Sequence, residues 1–266
     1  MLLKTHNLTI GYAGYTVQQT LNLQAHAGEM ICMLGKNGCG KSTLLRTFAG
    51  LQPPLSGSII ISGRRLEELS QQDKAKLLSL VLTERMSLDN THVHDVVAMG
   101  RYPYSSFLGG LSEVDETQIS TALCQVQMQA KADAMFNCLS DGEKQRVLIA
   151  KALAQQTPVI LLDEPTAHLD LPNRIKTMLL LKQLAHTEQK CVIISTHELD
   201  LALQIADTVW LMNSDCGGVS MGTPEILTAS GAFQTAFQDD SFSFLSDNGV
   251  LRIRLNNPSL KTQPNQ

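Results

Sequence analysis

A glycine-rich segment of the chain has the residue types and the spacing of a phosphate-binding loop. Residues 35–42 match the pattern G-x-x-x-x-G-K-[ST] in full. Backbone N–H groups in such a loop point inward at a phosphate, and the positive end of the following helix attracts the same anion. We expect the Lys41 ammonium to reach the β- and γ-phosphates and the Ser42 hydroxyl to ligate Mg²⁺. The predicted nucleotide contacts are Gly35, Lys36, Asn37, Gly38, Cys39, Gly40, Lys41, Ser42 and Thr43.

Acidic and imidazole side chains follow two further apolar segments. Residues 159–162 are continuously apolar and precede Asp163 and Glu164. A carboxylate at the end of a buried strand lies beside the phosphate loop in α/β domains. We therefore expect Asp163 to hold Mg²⁺ through water, and Glu164 to orient or deprotonate the attacking water. The alternative, two acids in a surface turn, is disfavoured by the loop upstream. His197 follows a third apolar segment and suits a γ-phosphate contact, although an isolated His there is more often an incidental polar residue.

A second candidate anion site lies at residues 139–143, which read Leu-Ser-Asp-Gly-Glu. Ser140 and Glu143 have the spacing of a capping box, which predicts a helix that begins near Lys144. A helix start that carries Ser and Gly is also suited to an anion.

Buried strands and helices must position these side chains. Continuous apolar runs predict strands at 30–34, 159–163 and 191–195 that are covered on both faces. Helical periodicity predicts helices at 43–49 and 173–186. Strands that alternate with helices indicate an α/β domain with a mostly parallel sheet.

Composition narrows the class of protein. The chain has 266 residues, of which 43% are hydrophobic, as in a globular protein. Its net charge of −4 argues against binding nucleic acid through bulk positive charge. No apolar run approaches the roughly 20 residues needed to cross a bilayer, and we expect no secretory leader at the start. The cysteines form no C-x-x-C pair, so neither a zinc knuckle nor a thioredoxin-like motif is expected.

The motifs, in this order and spacing, resemble those of ATP-binding-cassette (ABC) ATPases over about residues 2–230. The resemblance implies ATP and Mg²⁺ as cofactors and a phosphate-loop NTPase core of the α/β class. It also implies an N-terminal antiparallel β subdomain and a helical subdomain inserted at about 84–156. We accordingly expect an ATPase domain at 1–230, a short C-terminal extension at 231–255 and a disordered tail at 256–266.

The family resemblance assigns further site residues. Tyr12 resembles the aromatic residue that stacks on adenine, with Tyr15 less favoured and a half-buried strand aromatic as the alternative. His197 resembles the family's switch histidine. Two subunits of the family meet head to tail, and the signature segment of one covers the ATP held by the other. The signature residues are Leu139, Ser140, Asp141, Gly142 and Glu143, and the loop that couples the two sites contains His168, Leu169 and Asp170.

Two positions raise chemical questions. The family usually carries Gln after the strand near residues 80–82, whereas this chain has Thr83 and Glu84, so we expect either of these to replace the missing metal contact, or the contact to be absent. Cys39 lies in the phosphate loop beside Lys41, near a helix start, and both features favour a thiolate. The alternatives are an inhibitory thiol and a shielded small residue.

Residues 99–104 and 166–170 resemble segments of the ATPases of iron-siderophore, haem and cobalamin importers. The resemblance implies an ATP-hydrolysing subunit at the cytoplasmic face of the membrane, bound peripherally to a polytopic permease and working indirectly with a substrate-binding protein. The permease is expected to dock near residues 101–107, where Arg101, Tyr102, Tyr104 and Phe107 are concentrated. The alternative is a soluble, non-transport ABC ATPase that acts on nucleic acid or protein complexes; the net charge counts against it, and no nucleic acid is expected as a partner.

Overall fold

The computed structural model describes residues 1–82, 88, 90–104, 110–213, 218–237, 242–247 and 250–255. The strands are β1 Leu3–Tyr12, β2 Tyr15–Leu21, β3 Gln24–Ala25, β4 Met30–Leu34, β5 Ser56–Ile61, β6 Arg64–Arg65, β7 Leu78–Val81, β8 Val159–Asp163, β9 Cys191–Ser195, β10 Thr208–Met212, β11 Val219–Gly222, β12 Phe242–Asp247 and β13 Val250–Leu255. The helices are α1 Lys41–Phe48, α2 Gln71–Leu77, α3 Val93–Ala98, α4 Glu113–Gln125, α5 Asp141–Ala154, α6 Leu171–Thr187, α7 Leu199–Ile205, α8 Pro224–Ala229 and α9 Ala232–Ala236. Short 3₁₀ turns lie at Leu66–Glu68, Met99–Tyr104, Gln129–Lys131 and Phe136–Cys138.

A six-stranded sheet in the order β11-β10-β4-β9-β8-β7 forms the centre of the fold. All of its strand pairs are parallel except the edge pair β10–β11. Strands β4, β8 and β9 are buried along their whole length, with the bounds that their apolar runs predict. Asp163 pairs with Ser195, and Ser195 with Met33, so the carboxyl ends of these three strands meet at one edge.

The first part of the chain forms a second, antiparallel sheet in the order β2-β1-β5-β6, with β3 paired to β1. This sheet, helix α1 and one face of the parallel sheet share a core in which the rings of Phe48 and Trp210 meet edge to face, 6.2 Å between centroids. The expected N-terminal antiparallel β subdomain is therefore present.

The chain between β7 and β8 supplies α3, α4 and α5, which pack on one another and join the core on the other face of the parallel sheet. Within this unit, Arg101 is only 3% exposed. Its guanidinium donates to Asp115 Oδ1 at 2.7 Å, to the Ala154 carbonyl at 2.7 Å and to Gln156 Oε1 at 2.9 Å. The expectation that Arg101 belongs to an exposed docking surface is wrong, because its charge is paired inside the helical region.

Helices α1, α5 and α6 begin two to three residues earlier than the sequence predicts. Helix α5 begins at Asp141 because Ser140 caps it, and α6 begins at Leu171 because the Asp170 side chain accepts the Asn173 N–H. Helix α1 begins at Lys41, directly after Gly40. Side-chain caps from Ser140 and Asp170 set the starts of α5 and α6, whereas Gly40 before α1 makes no such bond.

The last described part of the chain is a hairpin of β12 and β13. Residues 250–255 form the second strand of this hairpin, and residues 256–266 lie outside the described residues. Phe233 of α9 is buried in the same core as the helical unit. Within the described ranges, no helix combines the length and the apolar character that a bilayer crossing requires.

Replacing Asp115 by Asn should destabilise the protein by about 3–5 kcal/mol, because the buried Arg101 guanidinium would lose its counter-charge. Bonds from Ser112 and then from Arg101 lower the pKa of Asp115 to about 2. The contribution of the ionised Asp115 carboxylate to stability is therefore fully present above the ordinary aspartate pKa of about 4. It is lost as the pH falls from there through the lowered pKa of about 2. Urea unfolding at several pH values measures both effects. The exposed Glu113, replaced by Gln, is the control, and equal stability of the two variants would contradict the prediction.

Candidate nucleotide-binding site

The phosphate loop connects β4 to α1, and its glycines are required by close contacts. Gly35 has a φ of 154°, and a Cβ there would lie 2.7 Å from both Cys39 Sγ and the Met212 carbonyl oxygen. Gly40 has a φ of 108°, and a Cβ there would lie 2.5 Å from Val17 Cγ1. Side chains at these two positions would push the loop away from the sheet, so the fold itself needs this glycine spacing.

The Lys41 ammonium lies inside the loop. It donates to the carbonyl of Gly35 at 2.8 Å and to that of Lys36 at 3.1 Å, and the residue is 7% exposed. A buried ammonium held by loop carbonyls places a positive charge where the loop's glycines allow a phosphate to approach.

Asp163 joins the phosphate loop to two strands. Its Oδ1 accepts hydrogen bonds from Ser42 Oγ at 3.1 Å and from Ser195 Oγ at 2.5 Å. Sequence reasoning missed Ser195, because it reads as the last residue of an apolar run. Hydroxyl and carboxylate oxygens are the donors that Mg²⁺ prefers, and the ion keeps several waters and phosphate oxygens as its other ligands. Ser42 and Asp163 therefore fit the predicted ion.

Glu164 leaves the strand in an unusual conformation. Its φ is 47°, a value uncommon for residues other than glycine, and its N–H donates to both the carbonyl and the hydroxyl of Ser195, at 3.1 and 3.0 Å. These bonds stabilise the turn and leave the Glu164 carboxylate partly exposed at the strand edge. His197 Nδ1 lies 3.6 Å from Glu164 Oε1. The structure thus brings the predicted base and the predicted switch histidine together.

A charged network continues from His197 to the predicted coupling loop. Glu198 Oε1 lies 3.7 Å from His197 Nε2 and accepts a hydrogen bond from Arg174 Nη1 at 2.5 Å. Arg174 Nε donates to the Leu169 carbonyl at 2.7 Å. Sequence reasoning missed Glu198 and Arg174. Only the adjacency of Glu198 to His197 could have indicated the first, whereas Arg174 reads as a solvent-facing helix residue.

Tyr12 and Tyr15 face each other across the hairpin of β1 and β2. The Tyr12 hydroxyl lies 3.3 Å from Thr43 Oγ1, at the start of α1, and 52% of the residue is exposed. Tyr15 is more exposed, at 67%. The ring of Tyr12 is therefore near the loop and accessible, and its contact with adenine stays a prediction.

The predicted signature lies on a different element from the phosphate loop. Residues 139–143 lead into α5, with Ser140 as its N-cap and Glu143 completing the capping box. The predicted substitutes for the missing Gln, Thr83 and Glu84, lie outside the described residues, as does Phe107.

Cys39 is shielded rather than reactive. It is 6% exposed, and burial raises the pKa of its thiol despite the opposing effect of the nearby Lys41 ammonium. The structure favours the second alternative, in which Cys39 packs as a small residue against Gly35.

The parallel sheet and the strand-loop-helix around Lys41 define a phosphate-loop nucleotide-binding protein. Comparisons with known proteins narrow the class. The family described as ABC transporter matches residues 18–167. An uncharacterised ABC transporter ATP-binding protein of Methanocaldococcus jannaschii is 40% identical over 84% of this chain and 77% of its own length. The achromobactin transport ATP-binding protein of Dickeya dadantii is 36% identical over 89% of this chain and 87% of its own.

Solved structures agree with the sequence relatives. A chain of a metal-chelate type ABC transporter in an inward-facing conformation superposes with a TM-score of 0.80 at 26% identity, over 97% of this chain and 99% of that one. A bacterial ABC transporter cassette solved as a dimer superposes with a TM-score of 0.71 at 26% identity, over 84% and 98%. The chain belongs to the ABC transporter family and is an ATP-binding ATPase of that family.

Replacing Arg174 by Gln should lower the ATPase rate by about tenfold and leave ATP affinity unchanged. The reason is that the Arg174 guanidinium would no longer donate its hydrogen bonds to Glu198 and to the Leu169 carbonyl. Charge-assisted hydrogen bonds of this kind are worth about 1.5–3 kcal/mol. ATP hydrolysis and binding of a fluorescent ATP analogue, measured in parallel, test the separation. Lys176→Gln makes the same charge change on the same helix and serves as the control; a weakened affinity with an unchanged rate would contradict the prediction.

Proposed function

We propose that this chain is the ATP-hydrolysing subunit that powers uptake of a metal chelate, of the iron-siderophore, haem or cobalamin class, through a separate membrane permease. The observation that carries the ATP-hydrolysing role is the convergence of the phosphate loop, Asp163, Glu164 and His197 at one sheet edge. Relatives that transport achromobactin, import iron hydroxamate and import cobalamin support the substrate class. The ATPase domain is proposed to span residues 1–230, with 231–255 as an extension.

The proposed chemistry uses the side chains at this edge. Lys41 and the loop N–H groups hold the β- and γ-phosphates. Ser42 and Asp163 would hold Mg²⁺, which would neutralise charge on the phosphate oxygens when bound. The Glu164 carboxylate accepts a hydrogen bond from the attacking water and orients it toward the γ-phosphate, and His197, beside Glu164, contacts that phosphate.

A second copy of the chain completes the site in this proposal. Two copies meet head to tail, and the start of α5, residues 139–143, covers the triphosphate held by the other copy. Residues 168–170 lie between the two sites and couple them. The dimeric cassette with a similar fold supports the pairing. Because each copy holds half of each site, hydrolysis requires the dimer.

The permease is proposed to dock on the 3₁₀ turn Met99–Tyr104, at the cytoplasmic face of the membrane. Tyr102 is 67% exposed there, whereas the Tyr104 ring packs 4.1 Å from the Arg101 guanidinium and its hydroxyl donates to the Gln155 carbonyl at 3.1 Å. The docking surface is therefore narrower than the whole aromatic segment and centres on Tyr102. A substrate-binding protein acts only indirectly, on the far side of the permease.

The competing function is a soluble ABC ATPase that acts on nucleic acid or protein complexes. The net charge of −4 counts against nucleic acid. Purification of the tagged chain from native membranes separates the two functions. Import is supported if a polytopic membrane protein is recovered with the chain and if a chelate-loaded binding protein stimulates the ATPase activity of the complex. Recovery with ribosomes or nucleic acid, without membrane protein, would reject it.

Replacing Glu164 by Gln should preserve ATP binding and slow hydrolysis by about a hundredfold or more, the usual effect of losing a general base. The slowed variant should accumulate as an ATP-bound dimer, which light scattering detects as a doubled mass. Glu188→Gln, an exposed surface change on the same fold, is the control. Hydrolysis at the unaltered rate in Glu164→Gln would contradict the role given to this carboxylate.

Replacing Tyr102 by Ala should weaken the complex with the permease and leave folding and ATP binding unchanged, because 67% of the residue is exposed and aromatic residues dominate interface energetics. The measurement is recovery of the chain with native membranes, together with the melting temperature. Tyr104→Phe removes one internal hydrogen bond and should keep the complex. Full membrane recovery of Tyr102→Ala would exclude this surface.

A further inference from the structure

The fifth residue of the signature, Glu143, has both carboxylate oxygens engaged. Oε2 accepts from the Ser140 N–H and from Ser140 Oγ, each at 3.1 Å. Oε1 accepts from Lys131 Nζ at 2.5 Å. The Glu143 side chain is 20% exposed and that of Lys131 is 48% exposed. The carboxylate is thus folded back against the start of α5 and closed off by a lysine from another element.

Lys131 comes from a turn whose position is fixed. It ends the 3₁₀ turn Gln129–Lys131, and the residues that follow are bonded to α3. The N–H of Val93 donates to the Ala134 carbonyl and the N–H of His94 donates to the Ala132 carbonyl, both at 2.9 Å. The ammonium therefore approaches Glu143 from an anchored backbone.

The charge at this helix start is the opposite of what phosphate binding needs. The positive end of a helix attracts anions, yet the first turn of α5 carries two acids, Asp141 and Glu143. The Lys131 bond, followed by the Ser140 N–H, lowers the pKa of Glu143 to about 2, so this carboxylate is ionised at every physiological pH. A carboxylate without its lysine would repel a triphosphate.

We propose that Lys131 is a positioning residue of the signature, which cancels the charge of Glu143 and holds its carboxylate back in the helix cap so that α5 can close on a triphosphate held by a second copy of the chain. The inference rests on the proposed ATP-sandwich dimer and adds to it a specific electrostatic requirement. An ordinary surface ion pair would serve only the stability of α5. The two roles differ in whether the effect of Lys131 depends on ATP.

The experiment is a double-mutant cycle in the slow Glu164→Gln background. Lys131→Met keeps the aliphatic stem and removes the charge, and Glu143→Gln removes the charge that Lys131 balances. The measured quantity is the ATP concentration that gives half-maximal dimerisation by light scattering. We expect Lys131→Met to raise this concentration about threefold to tenfold. Lys131→Met together with Glu143→Gln should return it to within about twofold of the background value.

Two further measurements separate the roles. The increase in ATP concentration that Lys131→Met causes should shrink at 1 M salt, where the Debye length falls to about 3 Å. Lys131→Arg keeps the positive charge and should give the background value. Lys4→Met, a lysine of β1, is the charge-matched control. The melting temperature of Lys131→Met without nucleotide should match that of the control, because the exposed ammonium adds little to stability.

Specific outcomes would overturn the inference. An unchanged ATP concentration in Lys131→Met, or the same increase with and without Glu143→Gln, would exclude the electrostatic role. If Lys131→Met lowers the melting temperature without nucleotide, and this loss of stability explains the whole rise in ATP concentration, Lys131 is a stabilising residue only. Failure of the Glu164→Gln background itself to dimerise with ATP would overturn the proposed dimer, which distinguishes that failure from failure of the role of Lys131.

Discussion

The buried carboxylate of Asp163 holds the site together. At 7% exposure its charge must be compensated by hydrogen bonds, and two of them come from Ser42 at the start of α1 and from Ser195 at the end of β9. The same Ser195 also fixes the turn at Glu164. One desolvated charge therefore aligns the phosphate loop with the strand edge that carries Glu164 and leads to His197, and this alignment requires the parallel order of β4, β9 and β8.

The helical unit connects the proposed docking surface to the proposed dimer contact. Arg101 and Tyr104, in the turn Met99–Tyr104, donate hydrogen bonds to the carbonyls of Ala154 and Gln155, at the C-terminal end of α5. The signature lies at the other end of that helix, 14 residues away, or about 20 Å at the usual rise per residue. Helix α5 is therefore a continuous element between the turn Met99–Tyr104 and the signature. Arg101, which the sequence indicated as part of the docking surface, instead bonds this turn to the end of α5.

Local sequence patterns predicted the parts of the fold that depend on local physics. The three central strands are continuous apolar runs, and the phosphate loop is a fixed spacing of glycines, so their positions followed from the residues alone. The interactions that complete the site join distant positions: Ser195 to Asp163, Arg174 to Glu198 and Lys131 to Glu143. Ser195, Arg174 and Lys131 have ordinary local interpretations, as a strand end, a helix residue and a turn residue, and only the tertiary structure pairs them with their partners. Cys39 shows the same limit, because its shielding depends on packing that its neighbours in sequence do not specify.

Helix α5 also carries a conflict between its own stability and its proposed task. Acids in the first turn and the Arg101 guanidinium at the last carbonyls both complement the helix dipole, so the charges of α5 stabilise it as a helix. The same acids oppose the approach of a triphosphate to the first turn. A glutamine at residue 143 would remove one of these negative charges but would cap the Ser140 N–H without the strength of a charged acceptor. The pairing of Glu143 with Lys131 keeps the charged cap of α5 and brings the net charge of the pair to near zero. A well-capped helix can in this way also have a start that binds an anion.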